Sequence, residues 1–71
     1  MNEYKYEVVV YWDKADRIFV ADVPELPGCM AHGQTKTKAI QHAEAAIALW
    51  IQTARADGIS VPEPRGRILH A

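Results

Sequence analysis

A chain of 71 residues carrying one cysteine, Cys29, cannot close an intrachain disulfide. Nothing else in the sequence constrains the fold so tightly. A chain this short buries only roughly 60% of the surface its unfolded form exposes, and small scaffolds offset that shortfall with disulfides, a metal or association. Cys29, His32, His42 and His70 lack the spacing of a structural zinc site. One small domain over residues 1–71 is therefore expected, stabilised by other subunits as a homodimer or homotetramer.

The pattern along the chain is that of an α+β domain. Tyr4, Tyr6, Val8, Val10 and Trp12 alternate with Lys5, Glu7, Val9 and Tyr11. Aromatic and β-branched residues at period two read as a long first strand. The polar Asp13–Arg17 stretch reads as a hairpin loop, and Ile18–Val23 as a second strand with Phe19, Ala21 and Val23 on one side. Pro24 and Pro27 lack the N–H that a paired strand needs, and Pro27-Gly28 is a strong turn signal, so the chain bends and presents Leu26 on a stiff loop. Cys29–Gly33 reads as a short third strand.

Thr35 is placed to cap a helix running from about Lys36 to Asp57, with Gly58 as the residue that ends it. The alanines along this segment favour helix strongly. At about 100° per residue, Ala39, Ile40, Ala43, Ala46, Ile47, Trp50, Ile51 and Ala54 fall within an arc of roughly 140° and should face a sheet. Ala45, Leu49 and Ala56, with His42 beside them, lie on the far side; they are either scattered surface apolars or a subunit contact. Beyond Gly58 the prolines Pro62 and Pro64 enforce extended backbone. Ile68 and Leu69 can add a last edge strand, giving β-β-β-α-β in two layers: an antiparallel sheet with one long helix on one face.

Little catalytic chemistry is present. Ser60 is the single serine and has no histidine nearby in sequence, while Cys29 and His32, three apart in a strand, point to opposite faces. No glycine-rich phosphate loop occurs, so no enzyme activity and no cofactor are expected. Asp13, Asp16 and Asp22 cluster in or beside one hairpin and read either as a solvated turn or as carboxylates for a divalent metal. Residues 1–34 carry a net charge of −3 and residues 35–71 a net charge of +2. The near-neutral total argues against a general nucleic-acid coat, and the acidic first half suits a basic partner. The longest apolar run falls short of the about 20 residues of a membrane span, and the N-terminus lacks a signal-peptide layout. The expected location is the cytoplasm, with no membrane contact.

Residues 18–64 resemble the HicB antitoxin family of type II toxin–antitoxin systems. The likeness rests on Phe19-Val20-Ala21, on Pro24-Glu25-Leu26-Pro27-Gly28-Cys29, and on Ala31, Gly33 and Thr35. It continues through Ala39, Ala43, Glu44, Ala45 and Trp50 to Gly58 and Val61-Pro62-Glu63-Pro64. The resemblance implies a truncated RNase H-like domain that binds a small basic HicA-type toxin, an mRNA interferase, and masks its catalytic histidine. Many members of the family add a C-terminal DNA reader. Seven residues follow Pro64 here, so direct DNA binding is not expected, and Lys36-Thr37-Lys38 stand where the family usually has acids. The expected contact residues are Asp13, Asp16, Asp22, Glu25, Leu26, Pro27, Gly28 and Leu49. The alternatives are a degenerate RNase H-like enzyme holding metal through Asp13, Asp16 or Asp22, a small-ligand-binding domain, and a purely structural oligomer.

Overall fold

Three short strands precede one long helix in the computed structural model, which describes residues 5–68. They are β1 (Val9–Asp13), β2 (Ile18–Asp22), β3 (Met30–Gly33) and α1 (Lys36–Ala56). The sheet is antiparallel in the order β1-β2-β3, with Val10 opposite Ala21, and Ala21 opposite Ala31. This register puts Val10, Trp12, Phe19, Ala21, Ala31 and Gly33 on one face and Val9, Tyr11, Asp13, Ile18, Val20, Asp22, Met30 and His32 on the other. The helix covers the first face, so the α+β architecture is as the sequence implies.

Two differences concern strands. β1 begins at Val9 rather than Tyr4; Tyr4 lies outside the described residues, and Tyr6 and Val8 precede the strand but still pack into the core. No strand is present after α1 among the described residues, where residues 59–68 run without ladder pairing; Leu69 lies outside them.

The helix ends follow from local chemistry. Thr35 is extended, and its Oγ1 accepts the Lys38 N–H at 3.1 Å, satisfying one of the first-turn donors. At the other end Gly58 adopts φ +71°. Its N–H donates to the Arg55 carbonyl at 3.2 Å, and the Ile59 N–H to the Ala54 carbonyl at 2.7 Å. This pair of bonds is the Schellman closure, which needs a residue that tolerates the left-handed region.

The helix lies mainly over β3 and β2 and reaches β1 least. Its buried residues are Ala39, Ala43, Ile47, Ile51 and Ala54; Ala46 and Trp50 pack partly, while Ile40 is exposed. Close approach is set at Gly33, where an added Cβ would sit 2.3 Å from the Ala39 nitrogen. The offset of α1 towards β3 also explains Trp12. It points to the helix side yet is half exposed, lying edge-on to Phe19 with ring centroids 5.0 Å apart. No helix among the described residues is long and apolar enough to cross a membrane.

Candidate binding surfaces

The β2–β3 connection is built from two stacked turns. The Leu26 N–H donates to the Val23 carbonyl at 3.1 Å, with Pro24 at the position where a fixed φ favours the bend. The Cys29 N–H then donates to the Leu26 carbonyl at 2.9 Å across Pro27 and Gly28, and Gly28 takes φ +78°. Proline followed by a left-handed glycine is the signature of a type II turn. The Val23 N–H closes the loop on the Cys29 carbonyl at 3.0 Å.

The loop's outer residues are Pro24, Pro27 and Gly28, whereas Leu26 is 0% exposed and is one of the largest fully buried side chains. The expectation that Leu26 is presented outward is thus corrected: the double turn folds it inward to fill the core beneath the loop. Cys29 is buried as well, and burial pushes its thiol pKa up, with the neighbouring Asp22 carboxylate adding to the effect.

The C-terminal stretch is clasped to this loop and to the start of the chain. Glu25 Oε2 accepts the Arg65 N–H at 2.8 Å, and its Oε1 accepts the Glu7 N–H at 3.1 Å. These two backbone donors, Arg65 first, hold the Glu25 carboxyl below its ordinary pKa. Arg67 forks onto Glu7, with Nε at 2.6 Å and Nη2 at 2.8 Å from its two oxygens. The Tyr6 hydroxyl donates to the Pro62 carbonyl. Glu25 therefore has a structural task in which its carboxylate is already engaged.

The remaining expected contact residues do not gather in one place. Asp13 ends β1, and its Oδ1 accepts the Ala15 and Asp16 N–H groups at 3.0 and 3.1 Å, which shapes the hairpin turn. Asp16 is exposed on that turn. Asp22 pairs with Val9 at the opposite end of the hairpin, four residues along β1 from Asp13 and so about 13 Å away. Asp13 and Asp22 thus cannot share an ion, and among the described residues no group of three His, Cys, Asp or Glu side chains is placed to hold a metal.

Gly28 and Leu49 do meet, along a groove of about 370 Å³ between α1 and the β3 edge that Met30, Trp50 and Ile59 also line. Leu49 is 63% exposed there. The indole N–H of Trp50, which lines the groove, donates to the Pro27 carbonyl at 2.9 Å. His42 is exposed and places Nδ1 2.6 Å from the His32 carbonyl, capping an acceptor on the outer edge of β3. Nothing local in the sequence announces that contact, because its partner lies across the helix–sheet junction.

The bare face of the sheet is the other surface. Val9, Tyr11 and Met30 are each more than 40% exposed on it. Val20 at its centre is only 2% exposed, flanked in register by Tyr11 and His32.

Comparison with known proteins shows the family to which the chain belongs. Residues 6–68 match the family described as HicB-like antitoxin of bacterial toxin–antitoxin systems. The UPF0150 protein Ta0767 of Thermoplasma acidophilum is 34% identical over 58 residues, covering 82% of this chain and 83% of that protein. The UPF0150 protein ssl0259 of Synechocystis sp. is 32% identical over 63 residues, covering 89% and 85% respectively. No solved structure matches the chain significantly. With the three strands, the double-turn loop and the capped helix all inside the matched span, the chain belongs to the HicB-like antitoxin family.

Proposed function

We propose that this chain is a non-enzymatic binding domain that neutralises a HicA-type mRNA interferase by covering its active site. The observation that carries the reading is the family match over residues 6–68, which takes in the whole described fold rather than one motif. The contact surface would draw on the acidic hairpin at Asp13, Asp16 and Asp22, on the loop at Glu25, Pro27 and Gly28, and on Leu49. Leu26 supports that loop from beneath. The domain would act in the cytoplasm as a homodimer or homotetramer and would not itself read DNA. The groove at Leu49 and Ile59 is the surface that best suits a subunit contact, being apolar and exposed.

Co-expression tests this reading. A HicA-type toxin that arrests growth alone should be tolerated when this chain is produced with it, and should co-purify with it. Undiminished arrest across HicA-type toxins, with the chain folded and abundant, would remove the antitoxin function.

A further inference from the structure

We infer that the bare sheet face is the partner-docking surface and that Asp22 is its ionic anchor, receiving an arginine or lysine set in an apolar patch of the partner. The inference rests on the binding role proposed above and says which surface performs it.

Asp22 stands in register between Val9 on β1 and Met30 on β3, which are 42% and 46% exposed. Its side chain is half-buried, yet it has no hydrogen bond or ion pair among the described residues. Two other carboxylates of the β1 segment are engaged: Asp13, at the far end of the hairpin, with the turn amides, and Glu7 with Arg67. Aspartate is also a poor strand residue. The Asp22 carboxylate, with no hydrogen bond or ion pair among the described residues and set between two exposed apolar side chains, is open to a cation supplied from outside the chain.

The register places Val9, Tyr11, Asp13, Ile18, Val20, Asp22, Met30 and His32 on this face, with Asp13 at the hairpin end engaged by turn amides, and the strands contribute no lysine or arginine to it. The complementary surface is apolar with a basic residue near its centre. A second copy of the chain stacked on the same face would bring two Asp22 carboxylates into one apolar layer, which like-charge repulsion opposes.

Two measurements are made on the full chain. In the first, binding to a HicA-type toxin is compared for wild type, Asp22→Asn, Asp22→Lys, Met30→Glu and Leu49→Glu. Asp22→Lys should weaken binding about thirtyfold or more, with Met30→Glu also impaired and Leu49→Glu weakening it less than either. Asp22→Asn should weaken binding while leaving the thermal midpoint equal or higher, a combination that a structural role would not produce. Toxin binding that is lost in Leu49→Glu and kept in Asp22→Lys overturns the surface and leaves the antitoxin function standing.

In the second, amide resonances are followed while a short synthetic peptide alternating arginine and leucine is added. Shifts should centre on Val9, Asp22 and Met30 and vanish in Asp22→Asn. With no toxin bound but those shifts present, the antitoxin reading falls and the docking face stands. Shifts centred on Leu49 and Ile59, or no shifts at all, overturn it.

Discussion

The Trp50 indole N–H donates to the Pro27 carbonyl at 2.9 Å, tying the C-terminal half of α1 to the β2–β3 turn. The largest side chain on the helix is thus spent on orienting a loop as well as on packing. Trp50→Phe keeps most of the apolar contact and loses the bond, so it should cost about 1 kcal/mol. Trp50→Ala should cost about 3 kcal/mol. Urea unfolding of the three proteins checks this; equal midpoints for wild type and Trp50→Phe would show that the bond contributes nothing.

Gly33 and Gly28 are needed for different reasons. At Gly33 an added Cβ meets helix backbone, which cannot move aside cheaply. Gly33→Ala should therefore cost about 3 kcal/mol. At Gly28 the space is open and only the left-handed backbone resists a side chain, so Gly28→Ala should cost about 1–2 kcal/mol. Thermal unfolding should rank the two in that order.

Glu25 makes the clasp sensitive to acid. Its carboxyl pKa is depressed in the folded chain by the Arg65 and Glu7 amides. The clasp is therefore fully supported above the ordinary carboxylate pKa and is lost as pH falls through the depressed folded value. Hydrogen exchange at the Arg65 and Glu7 amides, corrected for the intrinsic pH effect, should accelerate at the acid end of that range. Glu25→Gln, with one acceptor oxygen in place of two, should show faster exchange already at neutral pH.

Cys29 should be unreactive. Burial, reinforced by Asp22, raises its thiol pKa and leaves little thiolate at neutral pH. Alkylation by iodoacetamide should be roughly tenfold slower, or more, in the folded chain than in the urea-unfolded one. Comparable rates would mean that the β2–β3 loop opens readily.

Features that depend on near neighbours in sequence were legible from it. Alternation around Val10 and Ala21, the Thr35 cap, the Gly58 stop and the Pro27-Gly28 turn each follow from residues within a few positions. Features that depend on distant pairs were not. The Glu25 carboxylate meets an amide 40 residues away, and His42 reaches a carbonyl on β3. Leu26 illustrates the boundary. Its flanking prolines correctly indicate a turn, but which way the turn points its side chain depends on the core space beneath it. Strand ends were blurred for a similar reason, since Tyr6 and Val8 pack in the core without joining the ladder. Of the candidate contacts, the exposed acids and Leu49 could be picked out as residue types. Their scatter over the hairpin turn, the sheet face and the helix groove could not, because it is set by register and by the offset of α1.

The most direct test is calorimetric titration of the purified, folded chain into a HicA-type toxin whose catalytic histidine has been replaced. Saturable binding at a fixed stoichiometry, weakened by Asp22→Lys, is the predicted result. Absence of binding across such toxins, with circular dichroism showing the chain folded, would contradict the antitoxin function.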